Sequence, residues 1–329
     1  MTSNPKIAIV QEAPVFLNLE ASMEKAIRHI EEAANQGANV IAFAECWLPG
    51  YPLWLDFAPG AGLWDHPGSK TLYRLLAENS VQQGDKHLAR LQEVSTESGC
   101  YIVMGTHERA GKTLYNTSFY FSPGAETPAP HRKLIPTYTE RLVWGRGDGS
   151  TLATIDTPWG ALGGLICWEH WMPLARAAMH AKDEAIHIAQ WPVVKEMNQV
   201  SSRHYAFEGR CVVAAAGSIM SKADVLAGLH SLGEDVAEAE ALLESMPGTP
   251  ETLIHNGGSA IIAPDGRYLT EPLYDKPGIL MAEADMKQLL EESQALDTAG
   301  HYARPDVFEL KVNTRAMPGV SFEDEEAGA

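Results

Sequence analysis

The chain contains no run of 18 or more apolar residues, so no membrane-spanning helix is expected. Its first residues, Met1-Thr2-Ser3-Asn4-Pro5-Lys6, lack the apolar stretch of an export signal, and a soluble cytoplasmic protein is expected. Basic residues are scarce. Lys and Arg number 25 against 43 Asp and Glu, a formal net charge of −18. Nucleic acid and anionic membrane surfaces repel such a protein, so neither is an expected partner. Four cysteines occur, Cys46, Cys100, Cys167 and Cys211, and none are spaced Cys-x-x-Cys. That argues against a zinc ribbon and a redox dithiol. The twelve histidines show no His-Glu-x-x-His or similar spacing, and no metal site is expected. Gly145-Arg146-Gly147-Asp148-Gly149 is glycine-rich, but no Gly-Lys-Ser/Thr follows it, so it is read as a plain loop and not a phosphate cradle.

What is present is an ordinary globular composition, 45% hydrophobic over 329 residues, with strands and helices interleaved. Residues 6–10 form a short β-branched run and read as a first strand. Asn18 offers an N-cap, and Met23, Ile27, Ile30 and Ala34 recur at helical spacing until Gly37. Residues 40–44 form a buried strand that delivers Glu45. A long Pro-, Gly- and aromatic-rich loop follows over 49–68, a length often associated with function. Helices are expected over 70–80, 85–98, 173–182 and 196–210, and strands over 101–105, 114–121, 151–155, 162–167, 186–190, 211–216 and 278–282. Pro264-Asp265-Gly266 joins strands at 259–263 and 268–270 in a hairpin. Residues 221–250 read as a polar insertion with helical spacing. After Ala284 a charged helix leads into an irregular tail with an acidic run at 323–326. The pattern supports an α/β layered domain and does not choose a topology.

Three segments each place one reactive side chain at an apolar strand edge. They are Phe43-Ala44-Glu45-Cys46-Trp47, His131-Arg132-Lys133-Leu134-Ile135-Pro136-Thr137 and Leu165-Ile166-Cys167-Trp168-Glu169-His170. A carboxylate, an amine and a thiol brought together make an activated nucleophile. A free thiol has a pKa of about 8.5, so little thiolate exists at neutral pH without help. Lys133 beside Cys167 would stabilise the thiolate, and Glu45 would take its proton and later activate water. The backbone amide after Cys167 is a natural oxyanion donor. Cys46, Cys100 and Cys211 read as core residues, and Glu169 as a carboxylate that holds the motif together.

These segments, with Arg141-x-Val143-Trp144-Gly145-x-Gly147-Asp148-Gly149 and Cys167-Trp168-Glu169-His170, resemble the motifs of the carbon–nitrogen hydrolase superfamily, most closely its nitrilase branch. The resemblance implies an α-β-β-α sandwich over 1–290, with 291–329 as a C-terminal extension. It implies hydrolysis of a small nitrile to acid and ammonia by Cys167, Lys133 and Glu45 through a thioimidate and a thioester, with no cofactor. Glu140 is either the family's second glutamate, positioning the lysine and water, or a surface partner of Arg141. Trp168 and His170 flank the nucleophile. Tyr138, Trp171, Met172, Trp191 and Pro192 either line an apolar substrate pocket or belong to the core. Relatives of this kind pair through outer helices and build spirals through their tails, so a homodimer or larger homo-oligomer is expected. An amidase or cyanide-hydrolysing relative, and a non-catalytic filament protein, remain as alternatives.

Overall fold

The computed structural model describes residues 3–320, so the acidic run at 323–326 lies outside the described residues. In chain order the first half contains β1 (Lys6–Gln11), α1 (Leu19–Asn35), β2 (Val40–Phe43), α2 (Trp54–Phe57), α3 (Pro67–Glu78), α4 (Lys86–Ser98), β3 (Tyr101–Ala110), β4 (Thr113–Phe121) and β5 (Ala129–Arg132). The second half contains β6 (Ile155–Thr157), β7 (Gly160–Ile166), α5 (Pro173–His180), β8 (Glu184–Gln190), α6 (Glu196–Gly209), β9 (Val212–Ala216) and β10 (Ile219–Ser221). It ends with α7 (Lys222–His230), α8 (Ala237–Glu244), β11 (Leu253–Ile262), β12 (Tyr268–Tyr274), β13 (Gly278–Glu283) and α9 (Lys287–Ser293).

Two sheets result. One has the strand order β13-β1-β2-β3-β4-β5. The other runs β10-β11-β9-β8-β7-β6, with β12 paired to β11. Strands β2 and β7, which precede Glu45 and Cys167, lie in parallel pairings, β1–β2–β3 and β7–β8–β9, while β5, which precedes Lys133, pairs antiparallel with β4.

Side chains alternate across a strand with period two, and that alternation builds the layers. Ile7 and Ile9 of β1, Val40 and Ala42 of β2 and Val103 of β3 meet Ile186, Ile188, Val212 and Ala214 of the other sheet. Ala8, Val10, Ile41, Phe43 and Ile102 face the opposite way, under Met23 and Ile30 of α1 and Leu88 and Leu91 of α4. Leu165, Ala189, Val213 and Ala215 face Ala175 and Met179 of α5 and Tyr205 and Ala206 of α6. The order is therefore helix, sheet, sheet, helix. Each fully buried Ile or Val contributes about 1.5–3 kcal/mol relative to exposure. Helix α1 starts where expected, because the Asn18 side chain accepts from the backbone of Ala21 at 3.1 Å.

Several boundaries differ from the pattern-based expectation. Residues 149–151 form a tight helical turn and not the start of a strand, because the Asp148 carboxylate accepts from the Ser150 N–H and hydroxyl. Strand β11 begins at Leu253, ahead of the expected 259, and passes through Gly257 and Gly258, both at positive φ and beside register shifts. Two glycines in a strand interior conceal its period. Strand β12 continues to Tyr274 despite Pro272, which is tolerated because β12 pairs only with β11. The 221–250 insertion folds as α7 and α8, and α8 packs on α3 beside the site.

Candidate active site

Glu45 follows the C-terminal end of β2, Lys133 that of β5 and Cys167 that of β7. Glu169 staples two of these ends together. Its carboxylate accepts from Ile166 N at 2.6 Å and Leu134 N at 2.7 Å, and meets His131 Nε2 at 2.9 Å. Burial opposes its charge, but His131 and the two backbone donors hold its carboxyl below the ordinary glutamate range. Glu45 is tied to the second sheet, since its backbone N–H donates to Trp191 O at 3.3 Å. Cys167 adopts a φ of 53°, a left-handed conformation that a non-glycine residue keeps only when its surroundings impose it.

Lys133 is the centre of the cluster. Its Nζ donates to Glu45 Oε1 at 2.8 Å and to Glu140 Oε2 at 2.7 Å, and all three side chains are buried. Glu140 also accepts from Tyr51 OH at 2.9 Å and from the Thr137 N–H at 2.6 Å. Asn116 Nδ2 donates to Glu45 Oε1 at 2.6 Å, which leaves Glu45 Oε2 buried without a hydrogen-bond partner. One carboxylate oxygen each from Glu45 and Glu140 and the Cys167 sulfur lie within 4.8 Å of one another. The buried ammonium is the cation that this acidic set holds.

Burial pushes the Glu45 carboxyl up to about 7, with Lys133 opposing and Glu140 adding to the rise. Burial also works against a charge on Lys133, but Glu45, Cys167 and Glu140 outweigh it and hold the ammonium well above its ordinary pKa. The Cys167 thiol is pushed well up by burial and by Glu45, against the pull of Lys133. The resting state thus holds a protonated thiol beside a carboxylate able to receive its proton near neutral pH. A buried thiol, a base and a fixed ammonium can together attack a polarised carbon and compensate the charge that develops.

The site opens into a cavity of about 890 Å³ whose walls include Tyr51, Glu140, Cys167, Trp171, Pro192 and His255. Of the residues singled out from the sequence, Tyr138 and Trp168 also line it, with Tyr138 81% exposed at the mouth. Three do not. His170 and Trp191 are buried behind Cys167, and Met172 packs against the core beneath α5. The placement of Trp191 corrects the pocket alternative. Its N–H still bonds to Ala216 O at 2.9 Å, so the chain there continues alongside β9. The indole turns to the outer face, stacks on His170 at 4.8 Å between ring centres and donates to the Ser202 hydroxyl at 3.2 Å. Trp191→Ala should therefore cost about 3–5 kcal/mol of stability. Thermal melting should show a large fall in Tm, while the ranking of substrates stays as in the parent.

Two partners of the Glu45–Lys133–Glu140 cluster escaped the sequence pattern. Tyr51 lies in the aromatic 49–68 loop, which was singled out only as a whole. Asn116 is a polar residue facing inward from β4, and that isolated amide was its one available signal.

A two-sheet sandwich with a thiol, two carboxylates and an ammonium at its strand ends defines a hydrolase-like centre built on a cysteine nucleophile. Residues 6–291 match the family model described as carbon-nitrogen hydrolase. The chain is 38% identical to an aliphatic nitrilase of Rhodococcus rhodochrous, over 98% of this chain and 85% of that protein. It is also 38% identical to an aliphatic nitrilase of Sinorhizobium fredii (strain HH103), over 96% and 97% respectively. The fold matches a carbon-nitrogen hydrolase from Helicobacter pylori G27 with a TM-score of 0.68 at 17% identity, covering 92% of this chain and 96% of that one. The chain belongs to the carbon–nitrogen hydrolase family.

Proposed function

We propose that the protein is a nitrilase, converting a small nitrile and two waters to a carboxylic acid and ammonia. The observation that carries this is the Lys133 ammonium held between Glu45 and Glu140 beside the Cys167 thiol. Glu45 takes the thiol proton as sulfur adds to the linear nitrile carbon, and that proton passes to the nitrile nitrogen. Lys133 and the Trp168 N–H stabilise the negative charge on that nitrogen. The thioimidate then adds water and expels ammonia, leaving a thioester. Glu45 activates a second water, which releases the acid and restores the thiol. The apolar and aromatic cavity suits a neutral organic nitrile. Ammonia release from nitriles of graded size, run beside the matching amides, tests the assignment. Turnover of amides alone would replace it with an amidase.

Glu140 acts through Lys133. It fixes the ammonium while Tyr51 and the Thr137 N–H fix Glu140 in turn. Glu140→Gln should lower kcat about 10²-fold by misplacing Lys133. Initial rates of ammonia release measure it, and a near-normal rate would reduce Glu140 to a packing role.

Residues 1–290 form the hydrolase domain in this view, in a cytoplasmic enzyme, and 291–329 form an extension used in assembly. No helix among the described residues is long and apolar enough to cross a membrane. Helices α5 and α6 leave Leu174, Val200 and Phe207 exposed, which suits a homodimer formed through those helices. The 294–320 segment exposes Tyr302, Phe308 and Val320 and is held to the 148–149 loop by the Met317 N–H donating to Asp148 at 2.7 Å. Sedimentation of the full chain and of a chain ending after Ser293 tests both points. A monomer in both cases would remove them.

A further inference from the structure

Behind Cys167 runs a chain of four buried polar side chains for which the proposed chemistry has no use. His170 Nδ1 lies 2.8 Å from the Cys167 carbonyl oxygen, and its Nε2 lies 3.0 Å from His187 Nε2. His187 Nδ1 lies 2.9 Å from Glu184 Oε1, and Tyr205 OH donates to Glu184 Oε2 at 2.5 Å. All four side chains are buried, and the His187 ring stacks on Tyr205 at 3.7 Å between centres. The carboxylate sits against Gly163 of β7, where a Cβ would collide with Glu184 Oε1. Four polar side chains removed from water in one line are costly unless each is satisfied, and here each is.

The direction of the chain follows from its ends. A carbonyl only accepts, so His170 Nδ1 carries the hydrogen. Burial and then His187 hold the His170 ring neutral, which makes its Nε2 the acceptor. His187 Nε2 must then be the donor. At the other end Glu184 is ionised, because His187 and Tyr205 offset its burial, and its carboxylate accepts from His187 Nδ1 and Tyr205 OH, so the His187 ring donates from both nitrogens.

The Cys167 carbonyl and the Trp168 N–H belong to one planar peptide and point in opposite directions. Fixing the oxygen therefore fixes the amide. That amide faces the Cys167 sulfur, beside which the nitrile nitrogen would carry charge in the proposed reaction. The left-handed φ of 53° at Cys167 shows that local backbone preference does not by itself hold this peptide.

We propose that Tyr205, Glu184, His187 and His170 are positioning residues whose hydrogen-bonded chain aims the Trp168 amide at the developing anion. This rests on Cys167 being the nucleophile. None of the four touches the substrate, and each acts through the Cys167–Trp168 peptide.

His187→Phe keeps the ring and its stacking on Tyr205 but breaks the chain. Active thiols are first counted by covalent labelling of Cys167, so that misfolded protein does not enter the rate. Loss of an aimed oxyanion donor should then lower kcat per labelled thiol by about 10²–10³-fold, with KM within about threefold of the parent. Tyr205→Phe should lower it by about 3–10-fold in the same way. An aldehyde whose carbon is attacked by Cys167 forms a hemithioacetal with an oxyanion in the same place. Its affinity should weaken in step with kcat. A purely structural role would lower Tm and the count of labelled thiols but leave kcat per thiol and aldehyde affinity unchanged, and that result overturns the proposal. If His187→Phe does not fold, the Tyr205→Phe values decide. A parent enzyme that neither labels at Cys167 nor turns over nitriles would instead overturn the nitrilase assignment itself.

Discussion

Cys167→Ala should abolish ammonia release while the fold persists. In the proposed reaction the sulfur forms the covalent intermediate, so its loss would remove a reaction path and not merely a fraction of the rate. The substitution leaves the backbone demand unchanged, because alanine meets the same left-handed φ that cysteine already meets. The buried pocket loses one atom, and the Glu45–Lys133–Glu140 contacts do not depend on it. Cys46, Cys100 and Cys211 are also buried, but their sulfurs face backbone carbonyls or core. Alanine at each should cost about 1–2 kcal/mol of stability and leave the chemistry in place. Mass spectrometry with an electrophilic nitrile should show one adduct, on Cys167. Continued turnover by Cys167→Ala would end the nitrilase assignment.

The reactive residues were legible because each is delivered by a local pattern. At Glu45 and Cys167 an apolar strand of four to seven residues stops and one charged or sulfur-bearing side chain follows, whereas Lys133 follows the mixed strand Ala129–Arg132 and was legible through the motif around it. The α1 cap and face were legible for the same reason, since Asn18 and the 3.6-residue period act within a few positions. What was hidden depends on residues far apart in the chain. Tyr51 reaches Glu140 across 89 positions and Asn116 reaches Glu45 across 71, and no spacing announces either. Trp191 was ambiguous because a strand end can present its side chain to either face. The continued bond to Ala216 shows that the ladder persists, and the stacking on His170 and the bond to Ser202 show that the indole turns outward. His187 gave no signal within β8, because two of its partners, Tyr205 of α6 and His170 of the turn after Cys167, come from elsewhere in the chain. The layered architecture was legible as a class, but strand order was not, because pairings such as β1 with β13 join residues some 270 positions apart.

Glu45→Gln separates the general base from the electrostatic frame around it. The amide keeps the size of the carboxylate, and its oxygen can still accept from Lys133 Nζ or Asn116 Nδ2, so the fold and the placement of Lys133 should survive. What disappears is the proton acceptor, and with it both thiol activation and water activation. The rate should fall about 10²–10⁴-fold. The pH profile distinguishes this from simple disruption. Burial raises the Glu45 carboxyl from 4.5 to about 7, and a base works only when ionised. In the parent enzyme kcat/KM should therefore fall as pH drops through about 7, and not through the ordinary glutamate range near 4.5. In Glu45→Gln that acid limb should vanish, leaving a low rate that is flat across the same window. The Glu45 Oε2 is buried without a hydrogen-bond partner, which would leave it free to receive the thiol proton. If Glu45→Gln kept both a near-normal rate and the acid limb, the proton would have to go elsewhere. Glu140, the other carboxylate on Lys133 among the described residues, would be the first group to examine.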